Sequence, residues 1–234
     1  MAFAWFNMKK VWVISLGGSR IVPDDVDDSF LRDFKALIDL HGDKRFVVVC
    51  GGGRTARRYM SALKKLGKKT KSQSIEGIAI TRLHAGFMAR LFGSEANDVV
   101  PKNMKKVKDL LGKNRVVFCG ALRWRDQNTS DGTAAKLAGF LKCGFINLTN
   151  VRGLYTSNPK KNKRAKFVSK IGWEDFFKIA RRMDFEAGQH FVLDAVAARE
   201  IARRKITTYI VGSLGAMNGV LKGDSKVNGT VISG

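Results

Sequence analysis

Short apolar runs recur along the chain with longer helix-like stretches between them, and this alternation constrains the fold more than any other feature. Val11–Leu16, Phe46–Cys50, Val116–Cys119, Phe145–Thr149 and Ile206–Val211 each span four to six residues. That is strand length, and such predominantly apolar segments suit strands covered on both faces. Between them lie Phe30, Leu31, Phe34, Leu37 and Ile38 at helical spacing, the alanine-rich Thr133–Leu141 and the amphipathic stretch His190–Arg204. Strands alternating with helices predict an α/β domain of buried parallel strands joined by helices. With 234 residues, 44% of them apolar, and only three prolines, the chain can bury the core of one such domain, read here as 1–234. It carries no internal repeat, no heptad stretch and no linker long enough to separate independent domains.

Open α/β sheets bind ligands outside the carboxyl ends of their strands, so those ends carry the functional signal. The first strand runs into Leu16-Gly-Gly-Ser-Arg20, the second into Gly51-Gly-Gly-Arg-Thr-Ala-Arg57, and the fourth into Asn150-Val-Arg-Gly-Leu-Tyr155. A glycine turn between strand and helix lets backbone N–H groups approach phosphate oxygens with no Cβ in the way, and the helix N-terminus adds positive potential. For Gly17-Gly18 a tight turn without ligand explains the residues equally well. Three consecutive glycines followed by Arg54, Arg57 and Arg58 favour phosphate. Neither turn has the Gly-x-x-x-x-Gly-Lys-Ser/Thr spacing of a P-loop, and neither fits Gly-x-Gly-x-x-Gly with an acid about 20 residues on.

The formal charge of +23 points to anionic partners, such as nucleotides, phosphorylated metabolites, RNA or acidic lipid, without choosing among them. Thr156–Lys166, basic with no acid, reads as a solvated connection between two halves; RNA stays open as a partner, with no nucleic-acid motif behind it. Cys50, Cys119 and Cys143 are widely spaced and lie in or near apolar runs, which predicts buried free thiols in a reducing compartment. No apolar stretch reaches the roughly 18 residues of a membrane span, and Met1–Asn7 lacks the basic start of a signal peptide. A soluble cytoplasmic protein is expected. Ser-His-Asp, Cys-His and His-Glu-x-x-His arrangements are all missing, which leaves hydrolase and metalloprotease chemistry without support. No metal ligand is assigned. His41 reads as a dipole partner at the end of the first helix, and His190 as a helix opener without a role.

Five segments in order resemble the amino acid kinase family, and within it the archaeal-type uridylate kinases: Ser15-Leu-Gly-Gly-Ser19 with Val22-Pro23, Gly51–Tyr59, Gly77–Ala85, Thr129-Ser-Asp131 and Thr149–Pro159. The resemblance covers about Met8 to Gly234 and implies an open, mainly parallel sheet sandwiched between helices in three layers. It implies transfer of the γ-phosphoryl group of ATP, with Mg2+ carried on the nucleotide phosphates, to UMP or a similar phosphorylated small molecule. It also implies an acceptor half at about 8–150, an ATP half at about 151–234, and a homo-oligomer, often a hexamer. Carried over residue by residue, it puts Gly18, Ser19, Gly53 and Arg57 at the transferring phosphates, and Gly52, Ser74, Thr129 and Ser130 near UMP. Thr149, Tyr155 and Asn158 fall on the ATP side. Asp131 takes the place of a carboxylate that orients basic groups around the transferred phosphoryl. At a helix start it reads equally well as an N-terminal charge or cap. His84 either touches the acceptor or lies at a subunit contact, the structural role being preferred.

The chain departs from the family pattern at several positions. Ser15 stands where many members have lysine. Ser74 stands where an acid is expected ahead of the next helix. The family's Asn-Val-Asp-Gly is Asn150-Val-Arg152-Gly153, its later Asp-Pro is Asn158-Pro159, and Ala121–Asn128 is about two residues longer than usual. These changes raise the alternatives of another phosphorylated acceptor or of a nucleotide-binding protein that has lost catalysis.

Overall fold

The structure, a computed structural model, describes residues 10–123, 129–157, 162–183 and 193–234. One sheet of seven strands organises them. In chain order these are β1 (Val11–Leu16), β2 (Arg45–Cys50), β3 (Val116–Cys119), β4 (Gly144–Leu148), β7 (Lys170–Ile171), β8 (Thr208–Val211) and β9 (Gly229–Ile232). Their order across the sheet is β3-β2-β1-β4-β8-β9-β7. The run from β3 to β8 is parallel throughout, β9 is antiparallel to β8, and β7 is parallel to β9. β5 (Leu154–Tyr155) and β6 (Phe167–Val168) form a separate antiparallel pair.

Side-chain alternation along the strands divides the interior into two cores. Val11 and Val13 of β1, Val47 and Val49 of β2, and Val117 and Cys119 of β3 pack toward α5 (Met104–Leu111), α6 (Ser130–Leu141), α7 (Trp173–Met183) and α8 (Ala195–Arg204). Ile14 and Leu16, Phe46, Val48 and Cys50, and Val116 and Phe118 face α2 (Asp28–Leu40), α4 (Thr70–Phe92) and α9 (Leu214–Lys222). Both faces of the central strands are therefore dry, as their composition requires. The expected three-layer α/β sandwich is the observed fold. All three cysteines are free, with Cys50 and Cys119 buried and Cys143 partly so. Burial pushes the Cys119 thiol up to about 12, so it stays protonated and inert.

Several boundaries differ from the sequence expectation, each for a local reason. The last parallel strand begins at Thr208 rather than Ile206, because the Ile206 carbonyl accepts from Trp173 Nε1 and Thr208 Oγ1 instead of joining a ladder. α8 begins at Ala195, where Asp194 caps it by accepting from the Ala197 amide; His190 lies outside the described residues. α4 begins at Thr70, so Ser74 sits inside the helix rather than ahead of it. Its first turns are polar and carry no apolar periodicity to announce them. The basic stretch after Thr156 runs between the two strands β5 and β6. Thr156 and Lys166 pair across the β5–β6 hairpin, through Thr156 N to Lys166 O at 2.9 Å and Lys166 N to Thr156 Oγ1 at 3.0 Å. His41 does close α2, and its Nε2 lies 2.9 Å from Asn218 Oδ1 of α9, joining two helices on one face.

Candidate active site

The carboxyl ends of β1 and β2 are neighbours in register, Leu16 beside Cys50, so the two glycine turns leave the sheet side by side. Gly17 opens α1 (Gly18–Ile21), a single helical turn, and Gly52 opens α3 (Gly53–Lys65). The turns touch through their backbones. A Cβ on Gly18 would lie 2.4 Å from the Gly51 carbonyl oxygen and 2.4 Å from the Gly53 amide nitrogen. A Cβ on Gly53 would lie 2.4 Å from the Gly18 carbonyl carbon. Gly53 also has φ +58°, a left-handed conformation that an L side chain adopts only under strain. These positions need glycine for space and for conformation together.

α4 supports the second turn from below. Gly77 and Thr81 face Gly52, and a Cβ there would lie 3.6 Å from Gly77 O and 3.5 Å from Thr81 Cγ2. One turn further, His84 is only 4% exposed and its Nδ1 lies 2.8 Å from the Gly51 carbonyl oxygen. A carbonyl only accepts, so Nδ1 carries the proton. His84 thus braces the turn from inside, and neither expectation for it, acceptor contact or subunit contact, describes its place. Ser74 is half-buried and falls one turn before Gly77 on α4.

The N-terminus of α6 closes the third side. Thr129 caps it, accepting from the Gly132 amide at 3.0 Å, and its hydroxyl also pairs with the Asp194 carboxylate at the cap of α8. The Thr129 hydroxyl is therefore committed, whereas Ser130 Oγ lies 3.5 Å from where a Cβ of Gly51 would be. Asp131 is not the cap. Its Oδ1 accepts a 2.6 Å hydrogen bond from Ser15 Oγ, the one hydroxyl at the end of β1, which is 1% exposed. Desolvation, aided by the nearby Asp194 charge, raises the Asp131 pKa to about 6 against the lowering effect of Ser15. An ionisable carboxylate thus sits under the junction of the two turns.

Around that junction the charge is cationic. Arg54 and Arg58 both pair with Asp24 in the loop after α1. Arg57 between them is exposed and has no ion pair among the described residues, so its guanidinium is the one on α3 open to an anion. Arg20 of α1, which carried no assigned role in the sequence, points the other way. It donates to the Thr149 carbonyl from Nε at 3.2 Å and from Nη2 at 2.7 Å, and Nη2 also donates to the Gly212 carbonyl.

Beyond Thr149 lies a cleft of about 550 Å3 lined by Asn150, Val151, Arg152, Gly212, Ser213 and Asn228. Arg152 Nε donates to Asn228 Oδ1 at 3.1 Å, and its guanidinium carbon sits 4.3 Å from the centre of the Phe167 ring. Tyr155 meets the same ring edge-on at 5.5 Å, one packing step from the cleft lining. Asn158 lies outside the described residues. Gly18, Ser19, Gly51–Gly53, Ser130 and Asp131 are brought together, with the α4 stripe beneath them, and Thr149 stands between this group and the cleft. Sequence reasoning missed Arg20 and Asp194. A signal existed for Asp194, an acid immediately ahead of an alanine-rich helical run; none existed for Arg20.

The amino acid kinase family model matches residues 10–212. A uridylate kinase of Thermococcus kodakarensis is 35% identical over 224 residues, covering 94% of this chain and 98% of that protein. The crystal structure of uridylate kinase from Archaeoglobus fulgidus superposes with a TM-score of 0.84 at 33% identity, covering 95% of this chain and 99% of the other. A UMP kinase from Bacillus anthracis, at 17% identity and a TM-score of 0.77, shares the fold.

Proposed function

Because the chain belongs to the amino acid kinase family, we propose that it is an ATP-dependent uridylate kinase, forming UDP and ADP from UMP and ATP. The observation that carries the chemistry is the backbone contact between the two glycine turns, which any Cβ at Gly18 or Gly53 would break and which sets the two helix starts side by side. Phosphoryl transfer asks the protein mainly to position two phosphates and to neutralise charge between them. Bare amides at two helix starts and an unpaired guanidinium suit that task. Non-catalytic nucleotide binding is not favoured, since similarity to archaeal uridylate kinases runs over nearly the whole chain.

Bound Mg-ATP would supply the phosphoryl group, with the ion riding on the phosphates and keeping its waters. The amides of Gly18, Ser19 and Gly53 would hold the transferring phosphates, and Arg57 would neutralise charge on them. Gly52 and Ser130, with Thr129 as the cap that fixes them, would border the UMP phosphate, and Ser74 would face its sugar. Asp131, ionised above about pH 6, would orient basic groups and amides around the moving group. Thr149 and Tyr155 belong to the ATP half at about 151–234 or its border, beside the cleft that suits a nucleotide. The acceptor half is about 8–150.

An exposed apolar stripe along α4, Ile75, Leu83, Phe87 and Leu91, all at multiples of four residues, supports a homo-oligomer, with the hexamer of the family as the expected state. No helix among the described residues is long and apolar enough to cross a membrane. A cytoplasmic role in pyrimidine nucleotide synthesis completes the proposal. A coupled ADP-release assay with UMP, CMP and other phosphorylated acceptors tests it. UMP should be turned over fastest, and absence of turnover with every acceptor would remove the kinase reading.

A further inference from the structure

Arg20 sits two residues after Gly18, on a helix of a single turn. Its guanidinium makes the bonds described above to the carbonyls of Thr149 and Gly212, the residues that directly follow β4 and β8. Those strands are parallel neighbours, and the Thr149 amide donates to Val211 O at 3.0 Å, so one side chain gathers both carboxyl ends at once. The guanidinium carbon also lies 5.5 Å from the centre of the Phe30 ring on α2, which fixes it from behind. The residues immediately beyond the two carbonyls, Asn150, Val151 and Ser213, line the 550 Å3 cleft, and Gly212 itself is part of its wall.

The same short helix therefore touches both sides of the site. Gly18 abuts Gly51 and Gly53 of the acceptor side, and Arg20 holds the strand ends that carry the cleft wall. Loops after parallel strands are otherwise free to shift by fractions of an ångström, and phosphoryl transfer is sensitive to displacements of that size. The guanidinium places Nε and Nη2 together on the Thr149 carbonyl while Nη2 also reaches Gly212, a fixed fork that the flexible ammonium of a lysine reproduces only in part.

We propose that Arg20 is a positioning residue of the transfer reaction, one that locks the ATP-side strand ends to the first glycine turn and so sets the distance between donor and acceptor phosphates. The kinetic part rests on the uridylate kinase reading; the mechanical part does not. Arg20→Ala and Arg20→Lys, compared with the unsubstituted protein, test both. Arg20→Ala should lower kcat by about a hundredfold with KM for UMP within about twofold, and Arg20→Lys should recover part of kcat. Amide hydrogen exchange should quicken at Asn150–Gly153 and Gly212–Gly215 in Arg20→Ala, by about tenfold or more, with the strand interiors unchanged.

Unchanged kcat in Arg20→Ala, or faster exchange spread evenly over the molecule with kcat and KM falling together, would overturn the proposal. If the unsubstituted protein turns over no acceptor, the kinase reading fails, and the exchange pattern alone then decides whether Arg20 is the lock.

Discussion

Two regions of the sheet, around β1–β2 and around β8–β9, are built to different tolerances. Around β1 and β2, the proposed transfer point is fixed by buried contacts: two glycine turns touching through their backbones, a buried histidine on the Gly51 carbonyl, and a serine–aspartate hydrogen bond beneath them. Around β8 and β9, the strands are short, the neighbouring hairpin has two-residue strands, and the cleft is bordered by an exposed arginine resting on an aromatic ring. The junction glycines admit no side chain, whereas the border of the cleft carries a long exposed one, Arg152. Precision is concentrated where the phosphoryl group would move, and Arg20 transmits it across the sheet.

This contrast predicts unequal costs. Gly53→Ala should have the largest effect, because it combines a positive φ with a backbone clash. Activity should drop by about a thousandfold, and stability by roughly 1–3 kcal/mol from the strained conformation alone, measured by steady-state kinetics and urea unfolding. Asp131→Asn should come next, losing about a hundredfold in kcat while KM for UMP changes little. The same substitution should raise the urea midpoint at pH 7. The folded-state pKa of Asp131 is raised, so its contribution to stability is full below the unfolded value near 4 and is lost as pH rises through about 6. Removing the ionised form removes that loss.

Arg57→Ala should lower kcat by about tenfold with a smaller change in KM for UMP, whereas Arg58→Ala, whose charge is shared with Asp24, should leave both nearly unchanged. The pH profile sharpens the acceptor side further. The acid limb of kcat should lie near pH 6, move upward in Ser15→Ala, which deletes the hydrogen bond that lowers the Asp131 pKa, and move downward in Asp194→Asn, which deletes the charge that raises it. Parallel shifts in the two variants would detach Asp131 from the limb. Smallest of all, Arg152→Ala should raise KM for ATP by only about threefold, the worth of an exposed cation over a ring. A loss as large as that of Asp131→Asn would erase the contrast between the two regions.

The same contrast explains what the sequence discloses. β1 to β4 are legible because each is an apolar run ending at or near glycine or a polar turn, and because parallel strands buried on both faces leave no alternation to misread. The start of α4 is illegible, since Thr70–Ser74 is polar and its helix is held by the packing of later turns. β5, β6 and β7 are two residues each and exist only through their partners. In the site, the glycines announce themselves because few residues could replace them. Arg20 gives no signal, because its role depends on two carbonyls more than a hundred residues away in the chain. His84 is legible as a helical residue but not as a brace, for the same reason.

The most direct test is a crystal structure of the protein with UMP and a non-hydrolysable ATP analogue. The acceptor phosphate and the terminal donor phosphate should lie at about 3 Å from amides of Gly18, Ser19 and Gly53, facing one another across the junction of the two turns. Phosphates seated elsewhere, with the glycine amides still turned toward each other and touching neither nucleotide, would contradict the account.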